Sequence, residues 1–307
     1  AIPFTPVGGP RILAERGEVR TLLAQQALAL AREKQISSLH CLFPQPEDAA
    51  CFAGLKMMVR HGVQFHWVNE GDTDFEHYLQ RMNHAKRKKI KQERRRVRDA
   101  GITFRWVEGA AIRPDDWAFF ARCYNRTYLE HHNTPYLNLA FFQRIGETMP
   151  ENLLLIVAQR EGRDIGASFN VRSYGDDGTG GRLYGRYWGA LEHHPMLHFE
   201  ACYYQTIEYC LARGISVFEG GAQGEHCAGR RLQPAFPSFD RGLFVRSSGQ
   251  MRRQATGSSV ACRQTGNLRW TAPRNAPLQT SRRGGCGQCA LQITSLLFPG
   301  AQRPWTV

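Results

Sequence analysis

The sequence predicts a mixed α/β fold, and three observations support that prediction. Between residues 102 and 219, strand-like and helix-like segments follow one another in the order β-α-α-β-β-β-α-β. The 307 residues are 42% hydrophobic and 11% aromatic, which is enough for one large core or two modest ones. No run of eighteen apolar residues occurs, so the sequence predicts no membrane-spanning helix.

The first hundred residues alternate short helical and strand signals. A stretch rich in Ala, Leu and Gln begins the series, and a glycine at position 101 ends it. The predicted elements are a helix over Arg20–Lys34, a strand over Ser38–Pro44, a helix over Glu47–Met58, a strand over Val63–Val68 and one long helix over Asp72–Ala100.

The next 120 or so residues carry the α/β order itself. The turn EGRD between two apolar runs predicts a hairpin. The predicted strands are Ile102–Val107, Leu153–Arg160, Ile165–Ser173, Arg182–Trp188 and Val217–Glu219, and the predicted helices are Asp115–Glu130, Leu139–Thr148 and Met196–Arg213.

The charge is unevenly distributed, which weakens a general nucleic-acid-binding interpretation. Residues 227–307 hold twelve arginines, no lysine and one acid, Asp240, whereas the preceding 226 residues hold 28 basic and 26 acidic residues. This tail has no sustained periodicity, so we expect an irregular Arg-rich segment that buries little apolar surface. Nine cysteines at irregular spacings favour a reducing, cytoplasmic compartment.

Seven motifs resemble one known family. The chain is similar to the GNAT-related, FemAB-like proteins called peptidoglycan (often "peptidogalycan") biosynthesis proteins or GNAT family N-acetyltransferases, over residues 1–226. The motifs are PFTPVGGPR (3–11), SSLHCLFP (37–44), VQFHWVN (63–69), KRKKIKQERRRV (86–97), RLYGRYWGA (182–190), LHFEACYYQTIEYC (197–210) and FEGGAQGEH (218–226).

This resemblance implies a GNAT-like acyltransferase fold in tandem units. Residues 1–100 would be an incomplete first unit that ends in a long basic helix, and residues 101–226 a second unit. The implied reaction is N-acyl or aminoacyl transfer to an amine acceptor in a bacterial protein, with acyl-coenzyme A or aminoacyl-tRNA as the donor. The family pattern stops at residue 226, which favours a reading-frame shift as the origin of the tail.

The segment after the last predicted strand is the first candidate site. Glu219 and His226 are candidate bases that could deprotonate an attacking amine. Gln223, Gly221 and Gly224 would contact the substrate, because glycines let a ligand approach the backbone closely. A plain turn is the alternative interpretation.

The strand Arg182–Trp188 supplies further candidates. Arg186, Tyr187 and Trp188 are predicted to bind substrate beside the acyl donor, as the resemblance implies. A strand period of two places Tyr184, Arg186 and Trp188 on one face. Arg186 would need a carboxylate partner such as Glu200 or Glu219. Ordinary core packing explains the aromatic residues equally well.

Two histidines and a glutamate complete the candidate site. His198 and Glu200, at the start of the following helix, could act as base and acid. His66 is predicted to contact substrate, with Gln64 on the same face of its strand. Each of these side chains could instead have an ordinary structural role. The turn GALEHHPML replaces the Gly-rich turn that holds coenzyme A in ordinary GNAT enzymes, which leaves aminoacyl-tRNA open as the donor.

The basic run from residue 86 to residue 98 is predicted to be an amphipathic helix. Ile90 and Val97 lie seven residues apart on one face, which would dock on the protein. Lys86, Arg87, Lys89 and Arg94 are then candidates for binding the phosphate of a nucleotide, an acyl carrier or an RNA acceptor stem. For this helix, the alternative is a solvated face without a ligand. For the whole protein, the alternatives to an acyltransferase are a nucleic-acid-binding protein and an inactive relative of the family. An isolated CxxC at residues 286–289 predicts no metal site.

Overall fold

A mixed sheet of seven strands organises the part of the chain that this computed structural model describes, which is residues 6–36, 38–59, 64–175, 180–221, 233–235 and 243–246. The strand order is β3-β4-β5-β6-β7-β2-β8, and β1 pairs separately with β9. The strands are β1 Ser38–Cys41, β2 Gln64–Val68, β3 Ile102–Glu108, β4 Leu153–Arg160, β5 Arg163–Ser173, β6 Arg182–Ala190, β7 Val217–Glu219, β8 Gln233–Ala235 and β9 Leu243–Arg246.

Helices cover both faces of this sheet. A five-residue π turn, Glu200–Tyr204, separates the last two helices, and single 3₁₀ turns occur at Gly109–Ala111 and Pro150–Asn152. The helices are α1 Gly17–Glu33, α2 Pro46–Gly54, α3 Phe75–Gln80, α4 His84–Asp99, α5 Pro114–Glu130, α6 Leu139–Thr148, α7 Leu197–Phe199 and α8 Gln205–Ala212. The mixed α/β prediction is therefore confirmed.

The prediction of one long helix before Gly101 is wrong, because two N-caps divide that segment. The side chain of Asp74 accepts a hydrogen bond from the amide of His77 at 2.8 Å and begins α3. Asn83 accepts one from the amide of Lys86 at 2.9 Å and begins α4. A capping side chain satisfies an amide that the helix itself leaves without a partner, so each cap favours a new start.

Strands from distant parts of the sequence share the sheet. β3 to β6 form an antiparallel meander, and β7 runs parallel to β6. On its other edge β7 pairs antiparallel with β2, so a strand from the first hundred residues extends the sheet of residues 102–219. β8 and β9 lie within the segment predicted to be irregular, and they pair with β2 and β1.

Apolar side chains of alternate strand positions form two cores, one on each face of the sheet. One core includes Phe65, Leu183 and Phe218 and packs against the helix after β6. The other includes Leu155 and Phe169 and packs against α5 and α6. Because successive strand residues point to opposite faces, the cores define which face each polar strand residue occupies.

A buried carboxylate holds the N-terminal segment. The Oδ2 atom of Asp48, at the start of α2, accepts hydrogen bonds from the amides of Arg11 and Ile12 at 2.6 and 3.2 Å. The guanidinium of Arg11 donates to the carbonyls of Leu42 and Val7 at 2.8 and 2.5 Å. The described part of the PFTPVGGPR motif, residues 6–11, is thus tied to α2 and to the segment after β1. None of the helices in the described residues is long and apolar enough to cross a membrane.

Candidate functional site

The parallel strands β6 and β7 separate at the centre of the sheet. They pair over three positions, ending at Tyr184 opposite Glu219. Gly221 follows with φ of +81°, and a Cβ atom there would lie 3.4 Å from the carbonyl oxygen of Gly185. β6 continues to Ala190, and no strand of the described residues pairs with this edge beyond β7. Among the described residues, β6 therefore has an edge without a strand partner that begins near Arg186.

A β-bulge lies at this point of β6. Tyr187 pairs with Phe169 and Gly185 pairs with Asn170, so Arg186 is the extra residue. The bulge shifts the alternation of side chains along the strand. Trp188 therefore packs with Leu197 and lies 5.7 Å from the ring of His198, on the helix α7 side. The prediction that Tyr184, Arg186 and Trp188 share one face is wrong, because a uniform period of two cannot anticipate a bulge.

Arg186 and two tyrosines form a group beside the bulge. The guanidinium of Arg186 lies 5.0 Å from the ring of Tyr187, and its Nη2 lies 3.3 Å from the Tyr187 hydroxyl. That hydroxyl is 2.6 Å from the hydroxyl of Tyr136, in the loop between α5 and α6. Burial raises the pKa of Tyr187, and it raises the pKa of Tyr136 to about 12. Both hydroxyls therefore stay protonated at neutral pH and can donate hydrogen bonds.

Helix α5 occupies the space next to Gly189. A Cβ atom at this position would clash with the carbonyl oxygen of Cys123 in α5. The glycine thus lets α5 approach β6 closely. Gly189 therefore leaves no space for a ligand on this side of β6.

Four polar residues of neighbouring strands form a polar strip on the sheet face opposite Phe218. They are Gln64 and His66 of β2, Arg182 of β6 and Glu219 of β7. His66 lies directly opposite Glu219, and its Nε2 atom is 3.7 Å from the Glu219 Oε2. Arg182 donates from Nη1 to the Glu219 Oε1 at 2.9 Å. His66 and Glu219, predicted from separate motifs, are therefore brought together.

Burial controls the protonation of His66. Only 6% of the residue is exposed, and this burial lowers its pKa because the charged imidazolium loses solvation. The carboxylate of Glu219 opposes that effect, and the cation of Arg182 adds to it. His66 is therefore neutral at neutral pH, so one of its ring nitrogens has a lone pair that can accept a proton.

Glu200 lies elsewhere, in a buried ionic cluster between α4 and the π turn. This interhelix cluster consists of Glu93, Arg94, Glu200, Tyr204 and Glu208. Arg94 donates to both oxygens of Glu200 at 3.1 and 3.2 Å, and to Glu208 at 2.8 and 2.7 Å. Burial raises the pKa of Glu200, and Arg94 opposes the rise.

The predicted carboxylate partners of Arg186 thus bind other arginines. Glu200 is held by Arg94, and Glu219 is held by Arg182. Arg94 was a candidate for phosphate binding, but its guanidinium faces the protein interior between two carboxylates. The basic run did not reveal this orientation, because Glu200 and Glu208 are more than a hundred residues away in sequence.

The remaining candidates occupy several places. His198 lies on the α7 side of the sheet, 6.0 Å from the ring of Tyr203, and so does not join the polar strip. Gln223, Gly224 and His226 lie outside the described residues. The predicted convergence of His198, Glu200 and Glu219 on one cleft is not found, because the sheet separates the polar strip from the other two.

The helix α4 docks as its pattern predicted. Ile90 and Val97 are 3% and 1% exposed, and Lys86 and Lys89 lie on the solvent side. Arg87 is half-buried and donates to the carbonyl of Gln80 at 3.5 Å. The outer surface of α4 also exposes further basic side chains that the sequence did not single out, namely Lys88, Arg95, Arg96 and Arg98.

Two residues of the site were missed in the sequence. Arg182 precedes Tyr184 by two positions, and this spacing placed it on the Glu219 side of the strand. Tyr136 lies in the loop HHNTPYLN, where no periodicity marks its direction. In the described residues, no group of three or more His, Cys, Asp or Glu side chains is placed to hold a metal ion.

One family model matches most of this chain. Residues 1–239 match the FemAB-like family model, which is described as "Peptidogalycan biosysnthesis/recognition". The chain belongs to this FemAB-like family. The match extends beyond residue 226, where the resemblance had been expected to end. A search of curated proteins finds no match.

Solved structures confirm the GNAT-like fold. A C-terminal DUF2156 domain from Agrobacterium fabrum is 12% identical with a TM-score of 0.52, and covers 74% of this chain and 73% of its own. L-PGS from Bacillus licheniformis is 13% identical with a TM-score of 0.52, covering 75% and 74%. FemX is 11% identical with a TM-score of 0.47, covering 80% and 82%. The two structures with a TM-score of 0.52 share the fold of this FemAB-like chain.

Proposed function

We propose that this FemAB-like protein transfers an acyl or aminoacyl group from an activated donor to an amine. The observation that carries the proposal is the separation of β6 from β7 beside a polar strip. An edge of β6 that no described strand pairs with offers backbone N–H groups that can bind a carbonyl oxygen as negative charge develops on it. The strip adds groups that can accept a proton on the adjoining strand.

The proposed reaction has a simple balance. The acceptor amine attacks the donor carbonyl carbon, a C–N bond forms, and the C–O bond of an ester or the C–S bond of a thioester breaks. The amine loses one proton, and the leaving oxygen or sulfur gains one. We assign Glu219 as the base, because its Oε2 lies beyond hydrogen-bond distance of His66 while Arg182 binds Oε1.

The proposed chemical identity of the acceptor rests on the description of the family rather than on the geometry of the site. A family described by peptidoglycan biosynthesis or recognition supports an acceptor peptide that carries a free side-chain amine. Arg186 and Tyr187 lie on β6 beyond its pairing with β7, Tyr136 contacts Tyr187 from the loop between α5 and α6, and all three would contact that peptide. Arginine and tyrosine suit this role, because they offer hydrogen-bond donors together with flat surfaces for packing.

Aminoacyl-tRNA fits the local charges better than acyl-coenzyme A as donor. The loop before α7 places Glu192 within 3.0 Å of His194, and this hydrogen bond lowers the pKa of the Glu192 carboxyl. A carboxylate there opposes a diphosphate group at the helix start. The exposed basic side chains of α4 provide a surface for the phosphates of a tRNA instead. They include Lys86, Lys88, Lys89 and Arg95.

The free cysteines support a cytoplasmic location for the protein. Among the described residues, Cys41, Cys51, Cys123, Cys202 and Cys210 are free thiols. Burial raises the pKa of Cys41 to about 11, and it also raises that of Cys123. Unpaired, unreactive thiols of this kind suit a reducing cytoplasm, where charged tRNA is also found.

Transfer of radiolabel tests the proposal directly. The full chain would be incubated with either bulk aminoacyl-tRNA or acetyl-coenzyme A, together with a peptidoglycan precursor peptide bearing a free amine. We expect label in the peptide from aminoacyl-tRNA, with a yield that falls steeply as salt is raised. Replacing Glu219 by Gln should reduce turnover by about 10²-fold or more, with an unchanged circular dichroism spectrum.

A matched substitution controls this experiment. Glu147 is exposed on α6 and forms only an i,i+3 pair with Arg144 at 3.3 Å, so Glu147→Gln should keep full turnover. If no donor labels the peptide but tRNA binds, the nucleic-acid-binding alternative replaces the transferase. An active parent whose Glu219→Gln variant is equally active would remove Glu219 from the mechanism.

A further inference from the structure

A chain of hydrogen bonds joins His66 to the N-terminal segment. The Nε2 of Gln64 donates to the carbonyl oxygen of Pro6 at 2.9 Å, and the Oε1 of Gln64 lies 3.1 Å from the Nε2 of His66. A backbone carbonyl can only accept a hydrogen bond, so the amide nitrogen of Gln64 must face Pro6. The amide oxygen of Gln64 must therefore face His66, which fixes the orientation of the amide.

This orientation determines which nitrogen of His66 carries the proton. An amide oxygen is only an acceptor, so the Nε2 of His66 must be the donor. The lone pair of the neutral ring then lies on Nδ1. The 3.7 Å between Nε2 and the Glu219 Oε2 exceeds a normal hydrogen bond, so Gln64 is the acceptor of this N–H.

We infer that Gln64 is a positioning residue, which keeps the imidazole N–H of His66 on itself and leaves the Oε2 of Glu219 available to accept a proton. This role rests on the proposed function of Glu219 as the base. Arg182 already donates to the other oxygen of Glu219 at 2.9 Å. If the N–H of His66 turned to Oε2, both oxygens of the carboxylate would accept hydrogen bonds and its basicity would fall.

The charged groups around His66 favour a hydrogen bond from its Nε2–H to Glu219 when Gln64 is absent. Among the described residues, Glu219 of β7 and Arg182 of β6 are the charged groups that act on the ring from nearby strands. Without Gln64, Glu219 is the nearest acceptor for the Nε2 hydrogen, and it favours the charged imidazolium. Gln64 opposes that ion pair by offering a neutral acceptor that is closer to Nε2.

The N-terminal segment takes part in the same chain of hydrogen bonds. Arg11 donates to the carbonyl of Val7, next to Pro6, and Asp48 fixes the backbone of Arg11. Gln64 itself is only 3% exposed, so water does not compete readily for its amide. The conformation of residues 6–11 thereby helps to set the tautomer of His66.

Nitrogen-15 NMR of the full-length protein tests the inference without any substrate. His66→Gln identifies the ring signals, and the wild-type protein should show the Nε2–H tautomer at pH 8. Gln64→Leu should raise the pKa of His66 and reduce transfer about tenfold. A wild-type Nδ1–H tautomer, or a Gln64→Leu variant with unchanged pKa and transfer, would overturn the inference.

A second glutamine provides the matched control. Gln159 of β4 donates to the Oδ1 of Asp164 at 2.8 Å, so Gln159→Leu removes a comparable hydrogen bond at a distance from the polar strip. It should leave both the His66 signals and transfer unchanged. If Glu219→Gln keeps full transfer, the proposed base falls and the positioning role falls with it. If only the tautomer differs from expectation, Glu219 as base survives and Gln64 does not.

Discussion

Two regions of this protein use the same residue types for different purposes. In the interhelix cluster, Arg94 binds Glu200 and Glu208 through all of its donor nitrogens, at 2.7–3.2 Å. In the polar strip, Arg182 binds one oxygen of Glu219, and the other oxygen lies 3.7 Å from His66. Glu200 and Glu219 are both buried, so burial does not distinguish them.

The difference lies in how completely each carboxylate is paired. Gln205 also donates to Glu200 at 2.9 Å, and the Arg94 guanidinium lies 4.4 Å from the ring of Phe75. Such a surrounded ion pair holds α4 against the helix after β6 and has no remaining group to offer a ligand. Glu219 is only partly paired and lies where two strands separate, so one of its oxygens remains available to a ligand. For this reason Glu219, and not Glu200, is the proposed base.

Breaking the interhelix cluster should give the largest effect. Arg94→Met leaves Glu200 and Glu208 without their cation, and an uncompensated buried charge typically costs about 3–5 kcal/mol. We expect the free energy of unfolding, measured by urea denaturation, to fall by about 3 kcal/mol because Glu208 is partly exposed.

The control for this change is a surface arginine. Arg144→Met removes an exposed pair with Glu147 and should lower the free energy of unfolding by at most about 0.5 kcal/mol. Equal effects of Arg94→Met and Arg144→Met would show that the interhelix cluster contributes no more than a surface pair.

Changing Glu200 alone should have an intermediate effect. Glu200→Gln keeps the shape and leaves Glu208 to pair with Arg94, and burial of the Glu200 carboxylate already carries a desolvation cost. We expect a loss of about 1–2 kcal/mol in the same urea titration. Turnover per folded molecule should not change, in contrast to Glu219→Gln. A large loss of turnover with unchanged stability would reverse the assignment of the two carboxylates.

Most of the fold could be predicted from local patterns. The limits of α6, β4 and β7 agree with their predicted ranges, because apolar periodicity and turn residues are local properties. The break between α3 and α4 was missed, although Asn83 is a common capping residue. An Asn within a highly charged helical run gives a weak signal beside nine basic residues.

The candidate site was predicted only in part, for a different reason. His66 and Glu219 were each chosen from their own strand, but their meeting depends on β2 joining the edge of β7. Pairing between strands that lie 150 residues apart leaves no periodic trace in either strand. The bulge at Arg186 likewise depends on the register of β6 against β5, and the true partner of Glu200 depends on docking of α4.

The smallest effect is expected at the rim of the site, where pairing is weakest. Tyr136→Phe removes the 2.6 Å contact with the hydroxyl of Tyr187, and because Tyr136 is 44% exposed we expect a loss of only about 0.5 kcal/mol at pH 7. Burial raises the pKa of Tyr136 to about 12, above the value near 10 for an unfolded chain. A raised pKa stabilises the folded protein fully below pH 10, and that contribution is lost as the pH rises towards 12. The stabilities of wild type and Tyr136→Phe, measured by urea titration from pH 7 to pH 12, should therefore converge above pH 10 and then cross, because only the wild-type protein has a hydroxyl that ionises more readily in the unfolded chain. A difference that stays constant over this range would mean that the Tyr136 hydroxyl titrates as it does in water.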